Sequence, residues 1–198
     1  MTQPLQFVAP EDTARANFYG LVARLFYSAP DEALIEELVR ARRLEGDGVL
    51  AAAWGEMVDA CRNASAATLE DEYTELFIGT GKAAVTPYLS HYVVKYSTEN
   101  PLVALRQQLA AWGIGRREQV PEYEDHVSGV CEAMRFAIAV QHRTHEEQRE
   151  FFERFVRRGA SAFCDAVSAS ANARFYSPVA RFARAFFDIE KAAFEMVG

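Results

Sequence analysis

Two short segments hold most of the side chains in this chain that could do chemistry. One runs Tyr73-Thr-Glu-Leu76-Phe77-Ile-Gly79-Thr-Gly81-Lys82 and continues to Pro87-Tyr88-Leu89-Ser90-His91-Tyr92; the other is Pro121-Glu122-Tyr123-Glu124-Asp125-His126. Glycines beside a lysine raise phosphate binding, since a P-loop cradles phosphates with backbone amides and a lysine. The spacing excludes it: Leu76 stands where the first glycine is required, and Ala83 replaces the hydroxyl after the lysine. The plainer use of Gly79 is to end a helix in a left-handed conformation, with Gly81 allowing a tight turn. A histidine among acids raises acid–base catalysis. Neighbouring residues on a helix face different ways, however, so 122–126 reads more simply as a helix cap with His126 bonded to a nearby loop. His142 and His145 have the i, i+3 spacing of two metal ligands, but no third ligand follows and the stretch reads as a polar turn. Ser, Cys and His form no recognisable nucleophile motif.

The elements that must position these segments read as helices. The chain has 198 residues, half of them hydrophobic, which fits a single domain over 1–198. Apolar residues recur at helical spacing, as at Phe18, Leu21, Val22, Leu25 and Phe26, and predict an all-α bundle of about seven to nine helices. Ser28 and Asp31 read as a capping-box variant opening a second helix to about Arg43. A third helix is expected over about 49–63. A fourth should start near Thr68 with Glu70, Asp71 and Glu72 in its first turn, where acids suit the helix dipole. The period is lost over about 78–100, an irregular segment whose aromatics (Tyr88, Tyr92, Tyr96) argue against disorder. Helices resume at Pro101 and after Pro121. Separate helices are expected over about 146–157 and 160–171, and a last one from about Ser177, with Phe182, Phe186 and Phe187 as core.

Charge and cysteine content narrow the class. Twenty-one basic against 28 acidic side chains leave a net charge of −7, which excludes a protein built to hold nucleic-acid phosphates. Cys61, Cys131 and Cys164 are odd in number and widely spaced, as expected of reduced thiols rather than a disulfide framework or a zinc site. The first residues lack the pattern of a signal peptide, and no stretch approaches the ~20 apolar residues of a membrane span. A cytoplasmic protein without direct membrane insertion is the expectation.

In combination the motifs carry a resemblance. Tyr73-x-x-Leu76-Phe77-x-Gly79-x-Gly81, then Pro87-Tyr88-x-Ser90-x-Tyr92, then Glu122-x-x-Asp125-His126, with the opening Arg15-Ala-Asn-Phe18-Tyr19-Gly-Leu21, is similar to the TorD/DmsD/NarJ family of redox-enzyme maturation chaperones. One position departs: the family has proline after the glutamate, where this chain has Tyr123, with Pro121 just before Glu122. The resemblance implies an all-helical, TorD-like chaperone without catalytic turnover; no motif calls for a cofactor, and the family picture leaves guanine-nucleotide or molybdenum-cofactor binding open. Its implied partner is the apo form of a molybdoenzyme precursor, bound before cofactor insertion through a twin-arginine signal peptide that precedes export, as in many family members, or through a client terminus that is no longer an export signal, as in others. Carried over by position, the binding residues are Tyr73, Leu76, Phe77, Gly79, Pro87, Tyr88, Ser90, Glu122, Asp125 and His126. The charges suit that role: Glu122, Glu124 and Asp125 could meet arginines, and Leu76, Phe77 and Tyr88 could line an apolar groove. Two other readings stand beside it, a helical metal-dependent hydrolase using Asp125, His126 and His91, and an adaptor for a folded partner. Monomer and homodimer are both open, with 78–100 as a candidate hinge.

Overall fold

The computed structural model describes residues 9–79, 83–93, 99–115 and 121–197. Gly81, Lys82 and Tyr96, which entered the sequence argument, lie outside the described residues. The helices are α1 (Pro10–Tyr27), α2 (Glu32–Arg40), α3 (Val49–Arg62), α4 (Ala66–Tyr73), α5 (Ser90–Val93), α6 (Pro101–Ala111), α7 (Val127–Ala139), α8 (His145–Phe151), α9 (Arg157–Ala169) and α10 (Tyr176–Val197). A π-helical turn, Thr74–Ile78, extends α4. Another, Phe152–Val156, joins α8 to α9, so the two helices expected over 146–171 form one continuous rod. No strand occurs among the described residues; the one extended pairing is an isolated antiparallel bridge between Tyr88 and His126. No described helix is long and apolar enough to cross a membrane.

Helix α1 is the axis of the bundle. It packs most extensively on α7, while α10 lies against α9 and α3. Gly20 of α1 faces the Arg135 side chain of α7, and a Cβ there would come within 2.8 Å of the Arg135 Cδ, so that side chain would have to move. Around the first half of α1, the rings of Phe18, Trp54, Phe182 and Phe186 meet edge-on or tilted at 5.4–6.1 Å. Around its second half, Phe26 meets Phe163 and Phe77, which in turn packs on Tyr73 and Tyr176. Phe182, Phe186 and Phe187 are core, as their spacing suggested. Each buried Leu or Phe side chain of this kind contributes about 1.5–3 kcal/mol.

Helix ends differ from the sequence reading in instructive ways. Asp31, not Ser28, caps α2, accepting from the Leu34 amide at 2.8 Å, and Ser28 ends α1 instead. Helix α4 starts two residues earlier than expected, behind a Ser65–Thr68 capping box, which moves the acids out of its first turn. Glu72 falls at the far end of α4 and serves a different helix. Its carboxylate accepts from the backbone amides of Arg174, Phe175 and Tyr176 at 2.9, 3.2 and 2.9 Å, so it caps α10 from outside. These donors at a helix N-terminus welcome negative charge, which explains how a carboxylate only 9% exposed is tolerated.

A second buried carboxylate ties the other end of the bundle. Glu190 on α10 receives Arg15 through two bonds of 2.7 and 2.9 Å and the Tyr19 hydroxyl at 2.9 Å. Arg15 also reaches Gln148 of α8 at 2.9 Å. One guanidinium thereby links α1, α8 and α10, and the fork geometry of arginine makes this possible.

Glu72→Gln keeps the shape but removes the charge facing three amides. The expected loss of folding free energy is about 1–3 kcal/mol, read as a lowered urea midpoint at unchanged m-value. A midpoint equal to that of the wild type would show that the cap contributes nothing net.

Candidate functional site

The site is made where the irregular segment after α4 meets the loop before α7. The π-turn ends with the Gly79 amide bonded to the Thr74 carbonyl at 2.7 Å. Gly79 has φ 66° and ψ 162°, so it is not the left-handed helical terminus expected, but an extended conformation with positive φ that essentially only glycine adopts. Further on, the Val85 amide bonds to the carbonyl of Leu76 in the π-helical turn at 2.9 Å. Pro87, Tyr88 and Leu89 next run antiparallel to 125–127. The Val127 amide donates to the Pro87 carbonyl at 2.9 Å, and the Leu89 amide donates to the Asp125 carbonyl at 2.8 Å.

The far side of this strap rests on α9 at Gly159. A Cβ at that position would lie 2.9 Å from both the Cβ and the carbonyl oxygen of Leu89, so only glycine admits the strap this closely. The loop before α7 is held in the same manner: a Cβ on Gly129 would come within 3.1 Å of the Glu124 carbonyl. Gly159 did not stand out in the sequence, because its close approach is to Leu89, a residue distant in number.

Pairing the two backbones brings four polar side chains together. The Tyr88 hydroxyl donates to Glu122, and the Ser90 hydroxyl donates to Asp125 Oδ2. The Tyr88 ring stands edge-on to His126 at 5.5 Å and tilted against Tyr123 at 6.0 Å. Asp125 is 4% exposed, yet its second oxygen, Oδ1, is a buried side-chain atom without any hydrogen-bond partner. Such an orphan is costly and uncommon, as buried polar atoms are nearly always bonded.

His126 itself, rather than an acid, caps α7. The Ser128 amide points at its Nδ1 at 3.2 Å and the Ser128 hydroxyl lies 2.7 Å from the same atom. Because an amide can only donate, Nδ1 is an acceptor, and the neutral ring carries its proton on Nε2. Burial pushes the His126 pKa down, and the charges of Glu122 and Asp125 only partly oppose this. The same carboxylates act on the phenols. Tyr88 is pushed far up by burial and by its bond to Glu122. Tyr73 is pushed up to about 12, first by burial and then by the charge of Glu122. All three rings therefore stay uncharged at neutral pH within a field of negative sign.

Of the ten residues carried over by position, Pro87, Tyr88, Ser90, Glu122, Asp125 and His126 gather here. Tyr73, Leu76 and Phe77 lie beneath them in the core, at 8%, 0% and 6% exposure. The Tyr73 hydroxyl closes the C-terminal end of α1 by donating toward the carbonyls of Tyr27 and Phe26, at 2.8 and 3.2 Å. These three support the strap from below, and the exposed rings at the rim are Tyr123, half-exposed, and Tyr27. Arg106 of α6 was not foreseen: its Nε donates to Glu124 at 3.0 Å and its guanidinium lies over the Tyr123 ring. His91 is exposed and packs on Tyr92 rather than on Asp125 or His126. Among the described residues, no three His, Cys, Asp or Glu side chains gather as metal ligands. A separate open cleft of about 460 Å³ lies between α3, α4 and the start of α10, around Thr68, Glu72 and Arg174.

Known proteins place this architecture. A family model described as nitrate reductase delta subunit matches residues 45–165, a span containing both halves of the site. Among solved structures, one described as a redox enzyme maturation protein from Archaeoglobus fulgidus superposes with a TM-score of 0.58. The match covers 94% of this chain and 99% of that one at 19% identity, which shows a shared helical fold that includes α1 and α10. No curated relative matches the chain. The chain belongs to the nitrate reductase delta subunit family, the NarJ/TorD-like group of maturation chaperones that its motifs resembled.

Because the folded pKa of His126 lies below its ordinary 6.5, unfolding takes up a proton at acid pH. Stability is therefore expected to be full above about pH 6.5 and to fall as pH drops below it. His126→Asn, which keeps a capping acceptor, should flatten the change in urea midpoint between about pH 7.5 and 5.5. An unaltered pH slope in that variant would assign the effect to other groups.

Proposed function

We propose that this protein is a cytoplasmic chaperone that binds the signal peptide or apo form of a molybdenum-containing redox enzyme and assists its cofactor insertion and assembly before twin-arginine export. Family membership supports the chaperone class, and the redox enzyme maturation protein sharing the fold supports the kind of client. The observation that carries the binding reading is the orphan Oδ1 of Asp125. It is a buried acceptor already oriented by Ser90 on its other oxygen, and a guanidinium supplies the N–H donors it lacks.

The surroundings fit an arginine followed by apolar residues. Glu122 and Glu124 flank Asp125, while the rings of Tyr88 and Tyr123 offer a face on which a guanidinium or an aliphatic side chain can rest. Leu76 and Phe77 act indirectly, by fixing the floor on which the strap lies. The whole of 1–198 is read as one chaperone domain, with 78–100 as the segment that carries half of the site. The hydrolase reading has no metal-ligand cluster to rest on among the described residues.

Asp125→Asn leaves an oxygen for Ser90 but removes the charge that would receive the arginine. Affinity for a client leader peptide is expected to fall about ten- to a hundredfold, with a shallower dependence on salt. Equal affinity and equal salt slope in a folded variant would remove Asp125 from the site. The client itself is read by pull-down from the native host followed by mass spectrometry: a molybdoenzyme precursor with its leader intact is expected, and recovery of folded, leaderless proteins alone would overturn the export reading.

A further inference from the structure

One arginine of this chain already makes the contacts that an arriving arginine needs. Arg106 projects from α6 so that its Nε donates to Glu124 Oε2 at 3.0 Å and its guanidinium carbon lies 5.9 Å from the centre of the Tyr123 ring. Tyr123 leans on Tyr88, whose hydroxyl holds Glu122, so the Arg106 contacts continue directly into the carboxylate cluster. The Arg106 side chain is 46% exposed, whereas that of Glu124 is only 16% exposed. The cation is thus the accessible member of the pair and the carboxylate the sheltered one.

We propose that Arg106 is an internal ligand of the binding site, holding Glu124 and Tyr123 until a guanidinium of the client displaces it. The proposal rests on the arginine-binding reading of the site given above. Exchange of one guanidinium for another keeps a cation on the Glu124 oxygen that Arg106 now holds, so displacement does not cost that contact. A half-exposed ion pair is weak enough for such an exchange. Asp125 has no corresponding internal cation on Oδ1. A peptide with one arginine can satisfy Asp125 alone, while a second arginine nearby gains the rim only by displacing Arg106. Arg106 therefore selects for ligands that bring two guanidiniums together and keeps the rim closed to isolated cations.

The test uses the full chain and a synthetic leader peptide with an Arg-Arg pair before an apolar stretch, with a Gln-Gln version of the same peptide as control. In fluorescence anisotropy, Arg106→Gln is expected to bind the Arg-Arg peptide about two- to fivefold more tightly than wild type, and the Gln-Gln peptide equally. Arg181→Gln, which removes the same charge from a half-exposed pair with Glu56 elsewhere on the surface, should change neither. Weaker or unaltered binding by Arg106→Gln, or equal tightening by Arg181→Gln, overturns the proposal. If the wild type does not bind the peptide at all, the leader-binding function fails. The role of Arg106 is then read from titration with argininamide, followed by amide NMR shifts at Tyr123 and Glu124. Shifts that saturate at about two- to fivefold lower concentration in Arg106→Gln support it, and coincident titrations overturn it.

Discussion

Two backbone hydrogen bonds, from Leu89 to the Asp125 carbonyl and from Val127 to the Pro87 carbonyl, set the position of every side chain in the site. Helices packed at 8–10 Å from axis to axis do not by themselves bring the side chains of two connecting loops within bonding distance. A short antiparallel contact does, because paired backbones place opposite residues about 5 Å apart. Tyr88 and His126 are that opposed pair, and Ser90 and Glu122 flank it. The strap is pinned on its other side: Val85 is bonded to Leu76 of the π-helical turn, and Leu89 sits where Gly159 leaves room on α9.

The three buried carboxylates among the described residues show what is structural and what is available. Glu72 is saturated by three amides of α10, and Glu190 is saturated by Arg15 and Tyr19. Both join segments more than a hundred residues apart in the chain, so their bonds serve the bundle. Asp125 shares their burial but not their satisfaction. Its Oδ1 faces no donor, beside a His126 ring that burial keeps neutral against the opposing charges of Glu122 and Asp125. The fold completes the hydrogen bonding of two buried acids and leaves one oxygen of the third without a partner, which is the observation behind the binding role proposed for Asp125.

The family match and the fold match divide the molecule informatively. The family model covers 45–165, in which the strap, the loop before α7 and the supporting glycine of α9 all fall. The structural neighbour extends the likeness over nearly the whole chain, adding α1, whose end Tyr73 closes, and α10, whose start Glu72 caps. Tyr73 and Glu72 are adjacent in sequence and serve the first and last of the described helices. The motif thus joins the site to the frame. Its tyrosine is buried and holds the end of α1 through the Tyr27 and Phe26 carbonyls.

Much of this was legible from the sequence. Helical periodicity gave the class and most of the helices, and the joint occurrence of the motifs around Tyr73, Tyr88 and Glu122–His126 gave the family. Those signals are local, since spacing of apolar residues depends only on the helix repeat and motif identity only on residue order. What failed were statements needing a partner from elsewhere. Glu72 was read as serving its own helix and serves α10; Leu76 and Phe77 were read as groove and are floor; His126 was read as bonded to a loop and caps its own helix. Arg106 and Gly159 gave no signal, because an arginine mid-helix and a glycine in an Ala-rich run become meaningful only beside Glu124 and Leu89. The sequence by itself determined which residues are apolar, acidic or turn-forming, and hence the helical class and the family. Only the tertiary structure decided which carboxylates are satisfied, since a hydrogen bond requires a donor brought within about 3 Å by packing, and no one-dimensional pattern encodes that distance.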